Sequence, residues 1–487
     1  MAASLAWRLG PQLDGLTKEE DPGMLRIARV PRTLALAGIA TIFLAGCGST
    51  ASTPTPAPTP TVPPPTPTAA VASASATAGA TPTAGPTPTA NPAAACGSYS
   101  GPQTTISYAT FGDSTELTNQ QKIVDAFQSM EPKIKVKLTV SDWDTYWDKL
   151  QAALAGGNAP DVFVMDGPLF PDYQTRNQLL DLTPLIARDG FDTGQLADLG
   201  VQDFTASDGH IYGLPRDLST IALYYNKTMF DAAGIPYPDA TWTWDKLDAV
   251  AKQLTTGPTQ WGFYTETTDM ENYWSSLVWQ AGGDIIGPDK KTLLIDSDQA
   301  AAGIQFLQDL IYKDKVMAQP TPGGSGDLFE NGQAAMEANG SWLVPTHVAA
   351  GINFGVAPLP SGPAGRATSV NPSGVVVYKG TKSTDAAWEF VKCYTGPAMQ
   401  TIVANLKASM PANKSILASV YAKSFDGGAT FADALTYAHL KPSFRGYNEF
   451  TTALQDELDS KVFNDNSLTA KAALDEVAPK LTKLLGQ

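Results

Sequence analysis

The chain has 487 residues, 43% of them hydrophobic, and a formal net charge of −15 at pH 7. That length exceeds what one compact core usually holds, so two lobes are expected. The negative balance excludes nucleic acid and anionic membrane surfaces as partners, because both would be repelled, and it favours a neutral or cationic small ligand.

Residues 34–46 are uncharged and mostly apolar, and they follow Arg26, Arg29 and Arg32. A cationic stretch before an apolar one too short to span a bilayer reads as a secretory signal. It ends in Leu44-Ala45-Gly46-Cys47, which resembles the bacterial lipobox, in which the cysteine is acylated and becomes the mature amino terminus. The plainer reading of Cys47 as a buried thiol does not fit this flanking pattern. Met24 stands where a signal of ordinary length would begin, so residues 1–23 read as lying upstream of the true start. Residues 48–103 form a tether, nearly all Pro, Thr, Ala and Ser up to about position 95. Nothing large and apolar is there to offset the entropy of ordering. At about 3.1 Å per residue in polyproline II, such a stalk reaches roughly 150 Å.

The globular region starts at residue 104. Ile106, Tyr108 and Thr110 predict a first strand, and Ile123, Val124, Phe127 and Met130 a helix stopped by Pro132. Ile134, Val136, Leu138 and Val140 then alternate at period two. Tyr146, Trp147, Leu150 and Leu154 return to helical spacing before Gly156-Gly157, and 162–165 is a short apolar run. Strand, helix, strand, helix, strand predicts a mainly parallel sheet flanked by helices. Ligands bind such sheets beyond the carboxyl ends of the strands, which singles out Phe111-Gly112-Asp113 and Asp166-Gly167. Each aspartate also has a plainer reading as a helix cap or turn residue. Farther on, alternation recurs at 221–225 and 375–378, and helical spacing at 304–312, 386–394 and 450–458.

Catalytic signatures are sparse. The three histidines, His210, His347 and His439, include no pair at metal-ligand spacing, so no metal is expected. No nucleophile elbow, phosphate-cradling loop or dinucleotide fingerprint occurs, and no cofactor is expected. Asp161 and Asp166 could serve a glycosidase only at the right separation; surface acids are the simpler reading. Tryptophan stands out instead. Nine of the ten follow Cys47: Trp143, Trp147, Trp242, Trp244, Trp261, Trp274, Trp279, Trp342 and Trp388. Indole faces stack on the C–H faces of sugars while Asp, Asn and Arg satisfy the hydroxyls, although most of these indoles should be core.

Several segments together carry a resemblance. Tyr146 through Asp161, with its Ala-Gly-Gly-Asn-Ala-Pro-Asp ending, resembles the second helix and third strand of extracellular solute-binding proteins of the maltose-binding type. Gly209-His210-Ile211-Tyr212-Gly213-Leu214-Pro215-Arg216-Asp217 is similar to that family's hairpin before the hinge. Leu223-Tyr224-Tyr225-Asn226-Lys227, Phe230-Asp231-Ala232-Ala233-Gly234-Ile235-Pro236 and Thr243-Trp244-Asp245-Lys246-Leu247 continue in order. Gly332-Gln333-Ala334-Ala335-Met336 with Asn339-Gly340-Ser341-Trp342, and Ala386-Ala387-Trp388-Glu389-Phe390, complete it.

The resemblance implies an α/β, two-lobed periplasmic-binding-protein fold of type II. Lobe 1 would comprise 104–220 and 376–432, and lobe 2 221–375 and 433–487. Crossings near 219–223, 371–376 and 432–444 would let the lobes close on ligand by hinge motion. Trp342 matches the family's ligand-stacking tryptophan and Asp166 its ligand-bonding acid. Asp217, Trp274, Asp113, Arg445 and Asn448 are further ligand-contact candidates by position. The implied protein is a monomeric, non-catalytic lipoprotein on the outer face of the cytoplasmic membrane. It would carry a mono- or oligosaccharide to the permease subunits of an ABC importer. A secreted glycan-active hydrolase is the alternative, and a stalked adhesion or sensor module a third reading. Cys96, just before the first strand, and Cys393, in a helix the family places in the same lobe, are either disulfide-bonded or free, one exposed and one buried.

Overall fold

The computed structural model describes residues 96–267, 273–320, 327–407 and 409–486. The signal, Cys47 and the tether up to residue 95 lie outside the described residues. The chain opens with β1 (Thr104–Phe111), α1 (Ser114–Met130), β2 (Ile134–Ser141), α2 (Trp143–Ala155) and β3 (Val162–Asp166). Then come α3 (Phe170–Thr175), α4 (Thr183–Asp189), α5 (Asp198–Asp203) and the long β4 (Gly213–Asn226). The middle of the chain supplies α6 (Lys227–Ala233), α7 (Trp244–Leu254), α8 (Tyr273–Gln280), α9 (Asp298–Tyr312), β5 (Met336–Gly340), α10 (Val344–Ala349) and β6 (Phe354–Ala357). Next are β7 (Thr368–Val377), α11 (Thr384–Thr395), α12 (Pro397–Leu406), β8 (Met410–Pro411), α13 (Lys414–Ser419) and α14 (Gly428–Ala434). The chain closes with β9 (Ala438–Leu440), α15 (Tyr447–Leu458) and α16 (Ala470–Leu485).

The period-two residues of the first strands pair as their alternation requires: Ile106 stands opposite Val136 and Tyr108 opposite Leu138. Ile123, Val124 and Phe127 form the buried face of α1, four-residue spacing bringing them onto one side. Strand order is β2-β1-β3-β7-β4-β5. Among the named strands of the described residues, β1 pairs parallel with β2 and β3, and β7 with β9. The sheet is therefore mixed where alternation of strands and helices predicted mainly parallel pairing. The reason is that β4 and β7 do not belong to that alternation; β4 runs antiparallel to β5, β6, β7 and β8, and β7 antiparallel to β3 as well.

β4 changes partners along its length. Residues from Gly213 to Thr220 pair with β7, whereas Ile221 to Asn226 pair with β5 and β6. All of its residues are buried, so 221–225 is a continuous apolar run on both faces where alternation was expected. Three apolar cores flank it. One packs α1 and α11 against β1 and β3, with Phe127, Trp388 and Phe390 fully enclosed. A larger one gathers α7, α8, α9, α15 and α16, and a third lies under β4, β8 and α14.

Cys96 and Cys393 are joined in a disulfide across a separation of 297 residues, with Cα atoms 4.7 Å apart. The bond ties the chain just ahead of β1 to the buried face of α11. Gly97 and Ser98 then donate their backbone N–H groups to Glu389 Oε1, both at 3.1 Å.

Candidate functional site

Two corners with the same backbone plan stand at the ends of β3 and β5. β3 ends at Asp166, turns through a 3-10 segment, Gly167–Leu169, and enters α3 with Pro171 in its first turn. β5 ends at Gly340, turns through Ser341–Leu343, and enters α10 with Pro345 in its first turn. Proline suits that position, because its missing N–H falls among the donors a helix start leaves unpaired anyway.

At the first corner Asp166 lies opposite Ser373 of β7, and Ser373 opposite Asp217 of β4, so two expected site residues share one row of the sheet. Asp166 is 4% exposed and its Oδ2 lies 3.8 Å from Nζ of Lys441, itself 3% exposed. Asp203, from α5, packs directly on Gly167: a Cβ on that glycine would fall 1.5 Å from Asp203 Oδ2. Burial pushes the Asp203 carboxyl up to about 7, against the pull of Lys441 and Lys290. The segment after β9 wraps this corner. Ser443 Oγ donates to the carbonyl of Gly167 at 3.1 Å, and the N–H of Gly446 donates to Asp172 Oδ1 at 3.3 Å. That places Arg445 and Asn448, both exposed, beside the corner.

Asp217 is held by a buried neighbour that sequence reasoning missed. Arg216 Nε lies 3.1 Å from Asp217 Oδ2, and its Nη2 lies 3.4 Å from Glu116 Oε1 at the start of α1. Its Nη1 donates to Thr110 Oγ1 at 3.4 Å, and the guanidinium sits 5.8 Å from the Phe111 ring centroid. Burial pushes the Asp217 carboxyl up, against the pull of Arg216, Ser409 and Ser373. One arginine thus ties the end of β1, the start of α1 and β4 together, a role its planar fork of donors suits.

Next to Phe111 stands an aromatic shelf. Its ring centroid is 4.7 Å from that of Trp143 and 6.2 Å from that of Trp147, and the two indoles are 5.4 Å apart. Trp143 is 41% exposed, unusual for so large an apolar side chain. The available signal was the four-residue spacing of Trp143 and Trp147 at a helix start, just beyond a strand end.

The second corner presents an indole instead of a carboxylate. Trp342 is half-buried, and its ring folds over Gly340, where a Cβ would fall 2.1 Å from it. Tyr224 braces the corner by donating its hydroxyl to the Gly340 carbonyl at 2.7 Å. Gly340 lies opposite Ile221 of β4, four residues beyond Asp217.

Two expected residues take other roles. Trp274 is 0% exposed, with Nε1 donating to Gln455 Oε1 at 3.4 Å, so it presents no ring face to a ligand. Its helix α8 is buried at every position, which turns this indole into the core. Asp113 caps α1, its Oδ1 accepting from the N–H groups of Thr115 and Glu116 at 2.8 and 2.9 Å. The carboxylate is engaged by the helix start, the plainer of its two sequence readings.

The molecule is similar to known proteins along most of its described length. An ABC substrate-binding protein of Listeria monocytogenes, solved in complex with cycloalternan, aligns with a TM-score of 0.73 and 29% identity, covering 79% of this chain and 99% of that one. The GacH receptor of Streptomyces glaucescens shares the fold at 23% identity and a TM-score of 0.71, over 79% and 98% of the two chains. A maltooligosaccharide ABC transporter solute-binding lipoprotein of Streptococcus pneumoniae is 25% identical over 372 residues, 71% of this chain and 81% of that protein. The profile of the bacterial extracellular solute-binding proteins matches residues 112–401, well over half of the chain, and the chain belongs to that family of non-enzymatic carriers.

Proposed function

We propose that this protein captures an oligosaccharide between two lobes, 104–220 with 376–432 and 221–375 with 433–487, and delivers it to the permease subunits of an ABC importer. It works as a monomer, held through an acylated Cys47 on the outer face of the cytoplasmic membrane, and the tether gives it reach. The observation that carries the reading is the spacing of the two corners along β4. Asp217, in the row of Asp166, and Ile221, opposite Gly340, are four residues apart, which at ~3.3 Å per residue is about 13 Å along the strand. A short run of sugar rings spans that interval. Trp342 would stack on one ring, with Phe111 and Trp143 offering a second apolar surface. Arg445 and Asn448 would meet hydroxyls, with Asp166 and Asp217 behind them. The relatives solved or named with oligosaccharides support this chemistry, and none supports the hydrolase alternative.

The test is a thermal-shift screen of linear and cyclic gluco-oligosaccharides, followed by calorimetric titration and a reducing-end assay. A true ligand at 100 times its dissociation constant should stabilise the protein by about 2.7 kcal/mol, bind one to one and leave no new reducing ends. Absence of a shift with every neutral sugar would overturn the assignment.

A further inference from the structure

Beneath the Trp342 corner lies a group of ionisable side chains that touches none of the proposed sugar contacts. Glu337 of β5 and His347 of α10 are both 0% exposed. His347 Nε2 is 3.0 Å from Glu337 Oε2, and its Nδ1 is 3.5 Å from Glu330 Oε1. Aromatic rings wall the imidazole in, Tyr224 at 4.7 Å, Phe329 at 5.0 Å and Phe354 at 5.7 Å between centroids. Glu337 Oε1 accepts from Asn339 Nδ2 at 2.8 Å, whereas Glu337 Oε2 and His347 Nε2 face each other without an aligned hydrogen bond and meet no other hydrogen-bond partner among the described residues. Asp327 joins from the other side, its Oδ1 accepting the N–H groups of Phe329 and Glu330 at 2.8 and 2.9 Å. Asp327, Glu337 and His347 each bring one donor atom within 4.8 Å of the other two.

Sealed polar atoms without hydrogen bonds are costly, and a sealed carboxylate more so. A cation among these three donors would satisfy Glu337 Oε2 and an imidazole nitrogen together. We propose that Asp327, Glu337 and His347 hold one divalent transition-metal ion of the zinc class. One imidazole with two carboxylates suits that class, whereas calcium and magnesium favour oxygen-only sets. Glu330, close to the other ring nitrogen, would orient the imidazole as outer-shell carboxylates do. The ion would be structural. Glu337 lies three residues before Gly340 and His347 five after Trp342, so it would clamp the strand entering the corner to the helix leaving it and hold the indole steady between them.

The test uses the full, untagged chain, stripped with a chelator and titrated with zinc, calcium and magnesium chlorides. Zinc should bind one per chain by elemental analysis and raise the melting temperature, and cobalt should give a visible ligand-field spectrum. His347→Gln and Glu337→Gln should weaken zinc binding at least about tenfold. Those two buried positions can fail to fold when changed, so Asp327→Asn, at the partly exposed edge, should show the same loss with an unaltered circular dichroism spectrum. The proposal is overturned if stripped protein takes up no zinc, if calcium or magnesium binds in its place, or if Asp327→Asn binds zinc as the parent does.

Discussion

The corner after β3 and the corner after β5 share a strand, a 3-10 turn and a proline-started helix, yet they spend a glycine differently. At the first, Gly167 lets the Asp203 carboxyl settle against the backbone, with Asp166 paired to Lys441 alongside. At the second, Gly340 lets the Trp342 indole fold across the turn. Neither glycine lies in the left-handed region, so each is needed for close approach and not for an unusual φ. One corner is an ionic, sealed structure and the other a half-open aromatic one. The same backbone can therefore seal a carboxyl in one place and leave an indole half-open in another, depending on which side chain it admits.

That contrast can be broken by substitution, and the first corner should answer in stability. Asp166→Ala takes a carboxylate from the nearly sealed Lys441 and should lower unfolding free energy by about 3 to 5 kcal/mol, read by urea denaturation. A loss within 0.5 kcal/mol (roughly the range of an ordinary surface change) would show that Lys441 does not depend on it. The second corner should answer in affinity. Trp342→Ala is expected to weaken sugar binding by about 10- to 100-fold, or roughly 1.4 to 3 kcal/mol, with little change in the melting of the free protein. If melting falls sharply and affinity holds, the indole is core and the comparison fails.

Gly167→Ala should cost about 1 to 3 kcal/mol, because the added methyl collides with Asp203 Oδ2. Pairing it with Asp203→Ala should recover most of that loss, and no recovery would place the collision elsewhere. The smallest effect is a slope with pH. Asp203 holds its proton up to about 7 in the folded protein, whereas the unfolded carboxyl releases it near 3.8. The native state then binds more protons between these values, so stability falls as pH rises through that window. Asp203→Asn should remove a slope on the order of 1 kcal/mol per pH unit. Identical slopes in parent and variant would mean the carboxyl is ionised throughout.

Local pattern made much of the fold legible. Alternation placed β1 and β2, helical spacing placed α1 and α2, and the sealed apolar run placed β3. The position of a candidate residue was legible where it sits next to an element end, as Asp166 and Trp342 do. It was misread at Trp274, since burial on every side of α8 depends on what surrounds it, while Asp113 caps α1 as the plainer of its two readings has it. Arg216 was overlooked although it stands beside Asp217, because its partners Glu116 and Thr110 are about a hundred residues away.

By itself, then, the sequence determined the nature and order of the first elements and the family, both of which rest on spacing between near neighbours or on motifs in order. Only tertiary structure decided which of two open states Cys96 and Cys393 take, because a bond across 297 residues depends on where α11 docks. It decided likewise that Glu337 and His347, ten residues apart and on different elements, meet face to face. No strand or helix period brings such positions together; the turn from β5 into α10 does, once packing on β4 has fixed where that corner lies.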